Sequence, residues 1–140
     1  MAHIIIASHG GLSRGIVDSL HMVAGDLADG IETYSLELGQ NPNDYYEELR
    51  VRVEADPEQF IILCDILGGS VHNALFRLTE SPNVALFSGV TLGMALEVVL
   101  TCRDGIDPTT AERVRRAACD GVTVRFGGSC DAEVADDEDF

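Results

Sequence analysis

His3-Ile4-Ile5-Ile6-Ala7-Ser8-His9-Gly10-Gly11 is the stretch whose reading decides the fold. The apolar run reads as a buried strand and the glycines as a tight turn. A helix-like pattern follows, with Ser13 placed to cap it. An imidazole therefore falls at the carboxyl end of a parallel strand, the place where open α/β sheets bind ligands. Phe60-Ile61-Ile62-Leu63-Cys64-Asp65 repeats the arrangement, running into Ile66-Leu67-Gly68-Gly69-Ser70 and another helical pattern. A His and an Asp thus stand at two strand ends, each followed by glycines and a helix.

Outward from these runs, strand and helix alternate. Strands are expected at 3–8, 31–37, 60–64, 84–88 and 122–126. Helices are expected at 13–25, 44–55, 70–79, 92–102 and from Asp107-Pro108-Thr109 to Cys119. Such alternation implies a doubly wound α/β domain, a mostly parallel sheet flanked by helices on both faces. Residues 1–126 form the domain. The last strand, Val122 to Phe126, has little chain after it and is expected at a sheet edge, antiparallel. Residues 127–140 hold six acids and no base and read as an acidic, disordered tail.

Composition narrows the function. The chain has 140 residues, 46% of them hydrophobic, which suits one domain with an ordinary core. No apolar stretch approaches the roughly 20 residues that span a bilayer, and no basic segment of signal-peptide type opens the chain. A cytoplasmic protein is expected. Cys64, Cys102, Cys119 and Cys130 are widely separated, which leaves zinc-ribbon and redox motifs without support. Cys64 reads as a small core residue. The net charge is −15, and all nine basic residues are Arg. That balance opposes nucleic-acid binding and favours a basic protein partner.

The missing lysine excludes a Walker loop. Gly10-Gly11-Leu12-Ser13-Arg14-Gly15 is no dinucleotide fingerprint, because Leu12 stands where the second glycine must let backbone reach a pyrophosphate. Ser8 and His9, adjacent on a strand, point to opposite faces and cannot form a catalytic pair. The positive case rests on three features. Gly68-Gly69-Ser70 opens a helix, where free N–H groups and the Ser70 hydroxyl would hold an anion. Asp65 beside His9 would decide which ring nitrogen carries the proton and leave the other with a lone pair. Gly10 and His72 are auxiliary candidates, His72 because it lies in the first turn after Ser70. His3 belongs to the opposite end of its strand, and His21 to an exposed helix face. A zinc site from His9, Asp65 and His72 has no recognised ligand spacing.

Together, Ile4-Ile5-Ile6-Ala7-Ser8-His9-Gly10, Asp65-Ile66-Leu67-Gly68-Gly69-Ser70 with Asn73, and Phe87-Ser88-Gly89-Val90-Thr91-Leu92-Gly93-Met94 resemble the IIA (EIIA) domain of the mannose/fructose/sorbose family of the sugar phosphotransferase system (PTS). The resemblance runs from residue 3 to about 126. It implies a phosphotransferase component with a phosphohistidine intermediate. His9 would accept a phosphoryl group at Nε2 from the carrier protein HPr, with Asp65 bonded to Nδ1. It would pass the group to a IIB domain serving membrane IIC and IID subunits. Gly68, Gly69 and Ser70 would bind the phosphoryl oxygens, and no metal or cofactor is implied. The resemblance also implies a homodimer in which the last strand is exchanged. Two departures stand out: Val71 follows Gly-Gly-Ser where the family often has proline, and Ile66-Leu67 replaces a more usual Thr-aromatic type of pair. The alternatives are a regulatory or dihydroxyacetone-kinase-type phosphocarrier module and a metal-dependent hydrolase using His9, Asp65 and His72.

Overall fold

The computed structural model describes residues 1–128. Its elements alternate as β1 (His3–His9), α1 (Leu12–Ala24), β2 (Glu32–Leu36), α2 (Pro42–Ala55), β3 (Phe60–Cys64), α3 (Ser70–Phe76), β4 (Val84–Phe87), α4 (Leu92–Thr101) and α5 (Pro108–Asp120). Short 3₁₀ turns extend α1 through Gly25–Ala28 and α3 through Arg77–Glu80. The strands form one parallel sheet in the order β2-β1-β3-β4.

The two central strands are the two apolar runs, as expected for strands covered on both faces. All five residues of β3 are buried. Alternate side chains serve opposite faces. Ile4, Ile6, Ile61, Leu63 and Phe87 pack under α1, α4 and α5, against Ile16, Leu20, Met94, Val98 and Val114. Ile5, Ala7, Phe60, Ile62 and Cys64 pack under α2 and α3, against Leu49, Val53, Val71 and Leu75. The doubly wound architecture read from the sequence is the observed one. Its strand order places a topological switch between β1 and β3. The chain leaves β1 for one side to make β2, then crosses to make β3 on the other, which opens a crevice at their carboxyl ends.

Two expectations need correction. Val122 to Phe126 forms no strand in the single chain, and Val122, Val124 and Phe126 are exposed. An edge strand exists only as part of a sheet, and among the described residues the sheet ends at β4 and does not include 122–126. Ser13 is not the cap of α1. The helix begins one residue before it, with Gly11 at the cap position, so Ser13 lies buried inside the first turn. Its N–H, one of the donors a helix start leaves unpaired, goes to Ser8 Oγ at 2.8 Å. The cap is thus supplied by the preceding strand. Three of the other four helix starts are capped by a side chain: Asn41, Thr91 and Asp107 each accept a backbone N–H from the first turn, whereas α3 has Gly69 at its cap position and no side-chain cap. The acidic tail from Asp131 onward, and Cys130, lie outside the described residues.

Candidate functional site

His9 ends β1 and Asp65 follows β3, so the two meet across the switch crevice. Asp65 Oδ2 accepts the His9 backbone N–H at 2.8 Å and lies 2.7 Å from His9 Nδ1. Its other oxygen, Oδ1, accepts the Ile66 N–H at 2.9 Å. Burial raises the pKa of the Asp65 carboxyl, but the His9 backbone and ring bonds and the Ile66 N–H outweigh it and leave the pKa below the ordinary carboxylate value. An ionised carboxylate only accepts hydrogen bonds, so the neutral His9 ring carries its proton on Nδ1 and its lone pair on Nε2. Ser70 Oγ stands 3.0 Å from Nε2. The His9 side chain is 45% exposed and that of Asp65 only 9%, so the carboxylate is largely covered while the ring it pairs with is open to solvent.

The loop after Asp65 is shaped by two glycines for different reasons. Gly68 has φ +79°, a left-handed conformation that favours glycine. Gly69 has an ordinary φ of −70°. It is required for room: a Cβ there would meet Ile66 Cγ2 at 2.7 Å and His9 Cε1 at 3.2 Å. The loop backbone therefore rests against the imidazole. The Gly68 N–H donates to His72 Nδ1 at 3.3 Å, and the Gly69 N–H to the Ile66 carbonyl at 3.1 Å. Asn73 Nδ2 donates to the Gly68 carbonyl at 3.0 Å. On the other side of the crevice Gly10, at φ +55°, turns the chain out of β1 and donates its N–H to Leu36 at 2.9 Å.

The structure thus brings His9, Asp65, Gly69 and Ser70 together directly, and Gly68 and His72 one layer behind. Asn73 carries no role in the sequence reading, yet it holds the Gly68 carbonyl. Its only sequence signal is its place in the motif that follows Gly-Gly-Ser. The close approach of Gly69 is likewise invisible in a Gly-Gly pair. Ser8 is buried and turned away from His9, donating to the Gly10 carbonyl at 3.1 Å. His3 sits at the far end of β1, 2.7 Å from Asp56, and exposed His21 pairs with Asp29 at 3.1 Å. Burial, then the charge of Asp65, pushes the Cys64 thiol up to about 12, which marks an inert core thiol. Among the described residues no cluster of His, Cys, Asp and Glu could hold a metal ion, and no helix is long and apolar enough to cross a membrane.

Fold and site together define an α/β domain built around a carboxylate-backed histidine at a strand-switch crevice. Comparison with known proteins makes the class specific. The family described as the PTS system fructose IIA component matches residues 3–116. The sorbose-specific EIIA component of the PTS from Klebsiella pneumoniae is 33% identical over 101 residues, which cover 71% of this chain and 73% of that protein. An EIIA component from Streptococcus agalactiae superposes with a TM-score of 0.77 at 28% identity, over 89% of this chain and 97% of that one. The mannose/sorbose-specific IIA subunit from Enterococcus faecalis shares the fold, with a TM-score of 0.76 at 23% identity over 89% and 95% of the two chains. The chain belongs to the mannose-type EIIA family of the sugar phosphotransferase system, whose members are phosphotransfer components.

Proposed function

We propose that this chain is a phosphoryl carrier. It accepts a phosphoryl group from phospho-HPr on His9 Nε2 and passes it to a IIB domain, in the cytoplasm, for sugar uptake. The observation that carries this reading is the pairing of Asp65 with Nδ1 at 2.7 Å, which leaves Nε2 as the nucleophilic nitrogen at the exposed mouth of the crevice.

In the transfer, the Nε2 lone pair forms a bond to phosphorus as the donor's P–N bond breaks. The donor imidazole leaves with that electron pair. The His9 ring keeps its Nδ1 proton and becomes cationic, and the adjacent Asp65 carboxylate stabilises that charge. No proton has to move. The Ser70 hydroxyl, which rests 3.0 Å from Nε2, turns from the ring lone pair to a phosphoryl oxygen, and the Gly68-Gly69 loop encloses the group. The reaction needs in-line positioning more than covalent chemistry from the protein. Leu12, Ile66 and Leu67, which follow His9 and Asp65 in the chain, are exposed apolar side chains suited to a docked protein that excludes water. The net charge of −15 favours a basic partner. Incubation with enzyme I, HPr and phosphoenolpyruvate will label the chain with an acid-labile phosphoryl group that is absent from His9→Ala. A label that persists in that variant would refute the assignment.

The reading extends to a homodimer that exchanges residues 122–126. Supporting it, the outer edge of β4 has no neighbouring strand among the described residues. Beside that edge a groove of about 480 Å³ lies between β4 and α5, lined by Leu86, Phe87, Met94 and Ala111. Val122, Val124 and Phe126 alternate with Thr123 and Arg125, a strand pattern whose apolar members lie exposed.

A further inference from the structure

His72 has one nitrogen within reach of two groups that cannot both be satisfied. Its Nδ1 lies 3.3 Å from the Gly68 N–H, which must donate, and 3.3 Å from Asn73 Oδ1, which can only accept. The Asn73 amide cannot be turned over to relieve the conflict. Its Nδ2 donates to the Gly68 carbonyl at 3.0 Å, and a flip would set two oxygens against each other. His72 Nδ1 therefore has two states. As a bare lone pair it holds the Gly68 N–H. Carrying a proton, it donates to Asn73 Oδ1 and releases that N–H. The ring is largely buried, 9% exposed, and packs at a tilt on Phe76 with centroids 5.8 Å apart, so it stays in place in either state.

We infer that His72 is a positioning residue that occupies the Gly68 amide in the resting protein and hands it to the phosphoryl group on His9 when its Nδ1 takes a proton from solvent. The inference rests on His9 being the phosphoryl acceptor. Gly68 precedes the glycine that abuts the His9 ring, so its freed N–H belongs to the loop that faces the transferred group. An arriving phosphoryl dianion favours the cationic form of a nearby imidazole. The same event that creates the need for a donor thus releases one.

The test uses the full chain, ring- and amide-labelled with ¹⁵N, and phosphoramidate as a small-molecule donor that bypasses HPr. In the resting protein, long-range ¹H–¹⁵N spectra will show His72 with its proton on Nε2 and a bare Nδ1. After phosphorylation of His9, Nδ1 will carry a proton and the Gly68 amide will move downfield, as for a stronger acceptor. A proton on Nδ1 in the resting state, or unchanged His72 and Gly68 signals once ³¹P spectra show phospho-His9, overturns the inference.

Two variants supply the kinetic counterpart. His72→Asn keeps an acceptor near the Nδ1 position that protonation cannot switch off, and His72→Leu leaves the amide always free. Phosphoryl acceptance will be slower in His72→Asn than in His72→Leu, by about tenfold for the loss of one hydrogen bond to a charged group. A merely structural role gives the reverse order and refutes the inference. Labelling by phosphoramidate but not by HPr would sink the proposed donor and leave the His72 test readable. No phosphoryl group on His9 from either source contradicts both.

Discussion

Asp65 sets which nitrogen of His9 is bare, so its charge has a measurable worth. Asp65→Asn keeps the shape and an oxygen acceptor but loses the ionic character of the bonds to His9. Transfer through His9 will slow by about ten- to a hundredfold, matching the ~1.5–3 kcal/mol of a hydrogen bond to a charged group. Rapid-quench kinetics check this. The same carboxyl has a lowered pKa in the folded chain, so it stabilises the fold above the unfolded carboxylate value, about 3.9, and the contribution disappears as pH falls through the lowered folded value. The stability gap between wild type and Asp65→Asn will therefore be flat from neutrality down to about pH 4 and close below it. Denaturant titrations at stepped pH read that gap. A gap that closes near pH 6 would assign the dependence to another group. Gly69→Ala meets a steric wall, because its Cβ would reach Ile66 Cγ2 at 2.7 Å and His9 Cε1 at 3.2 Å. It will cost about 1–3 kcal/mol of stability and slow transfer by displacing the ring. A wild-type rate with wild-type stability would show that the loop does not bear on His9.

Among the elements, β1 and β3 were legible because each is an unbroken apolar run ended by a polar residue and glycines, and only central parallel strands tolerate such runs. The meeting of His9 with Asp65 followed from that, since adjacent parallel strands bring their carboxyl ends together. What happens inside the loop was not legible. Gly68 and Gly69 are the same letter, yet one is needed for its φ and the other for the space its missing Cβ leaves. The grips of His72 and Asn73 on Gly68 depend on side-chain directions that no periodicity encodes. Ser13 misled for a related reason. A serine near a helix start reads as its own cap, while the true acceptor, Ser8 Oγ, comes from the strand behind it. Where cap and helix are contiguous the reading held, as at Asp107; Thr91, which the sequence reading passed over, caps α4 in the same way, its Oγ1 accepting the Met94 N–H at 3.0 Å. Thr91→Ala will cost about 1 kcal/mol, read as a lowered denaturant midpoint with unchanged slope. That cap also ends the segment whose Val90 N–H binds the Cys64 carbonyl at 3.0 Å, beside Asp65.

At the scale of the whole molecule, the alternating pattern Val122-Thr123-Val124-Arg125-Phe126 reads as a strand, and the single chain does not form one. A strand is a property of a pair, and sequence periodicity reports only one member of it. Under the exchanged-dimer reading, sedimentation will give a dimer for the wild type and a monomer for the double variant Val124→Asp with Phe126→Asp. A monomeric wild type at micromolar concentration would contradict it. The central claim is narrower than any assembly: Asp65 holds Nδ1 so that Nε2 of His9 carries the phosphoryl group. The most direct measurement is ³¹P–¹⁵N NMR of the full chain, ring-labelled and phosphorylated by enzyme I, HPr and phosphoenolpyruvate. The account predicts one phosphoryl group, coupled to His9 Nε2, with the proton retained on Nδ1. A phosphoryl group on Nδ1, on Ser70 or on any other histidine would contradict it.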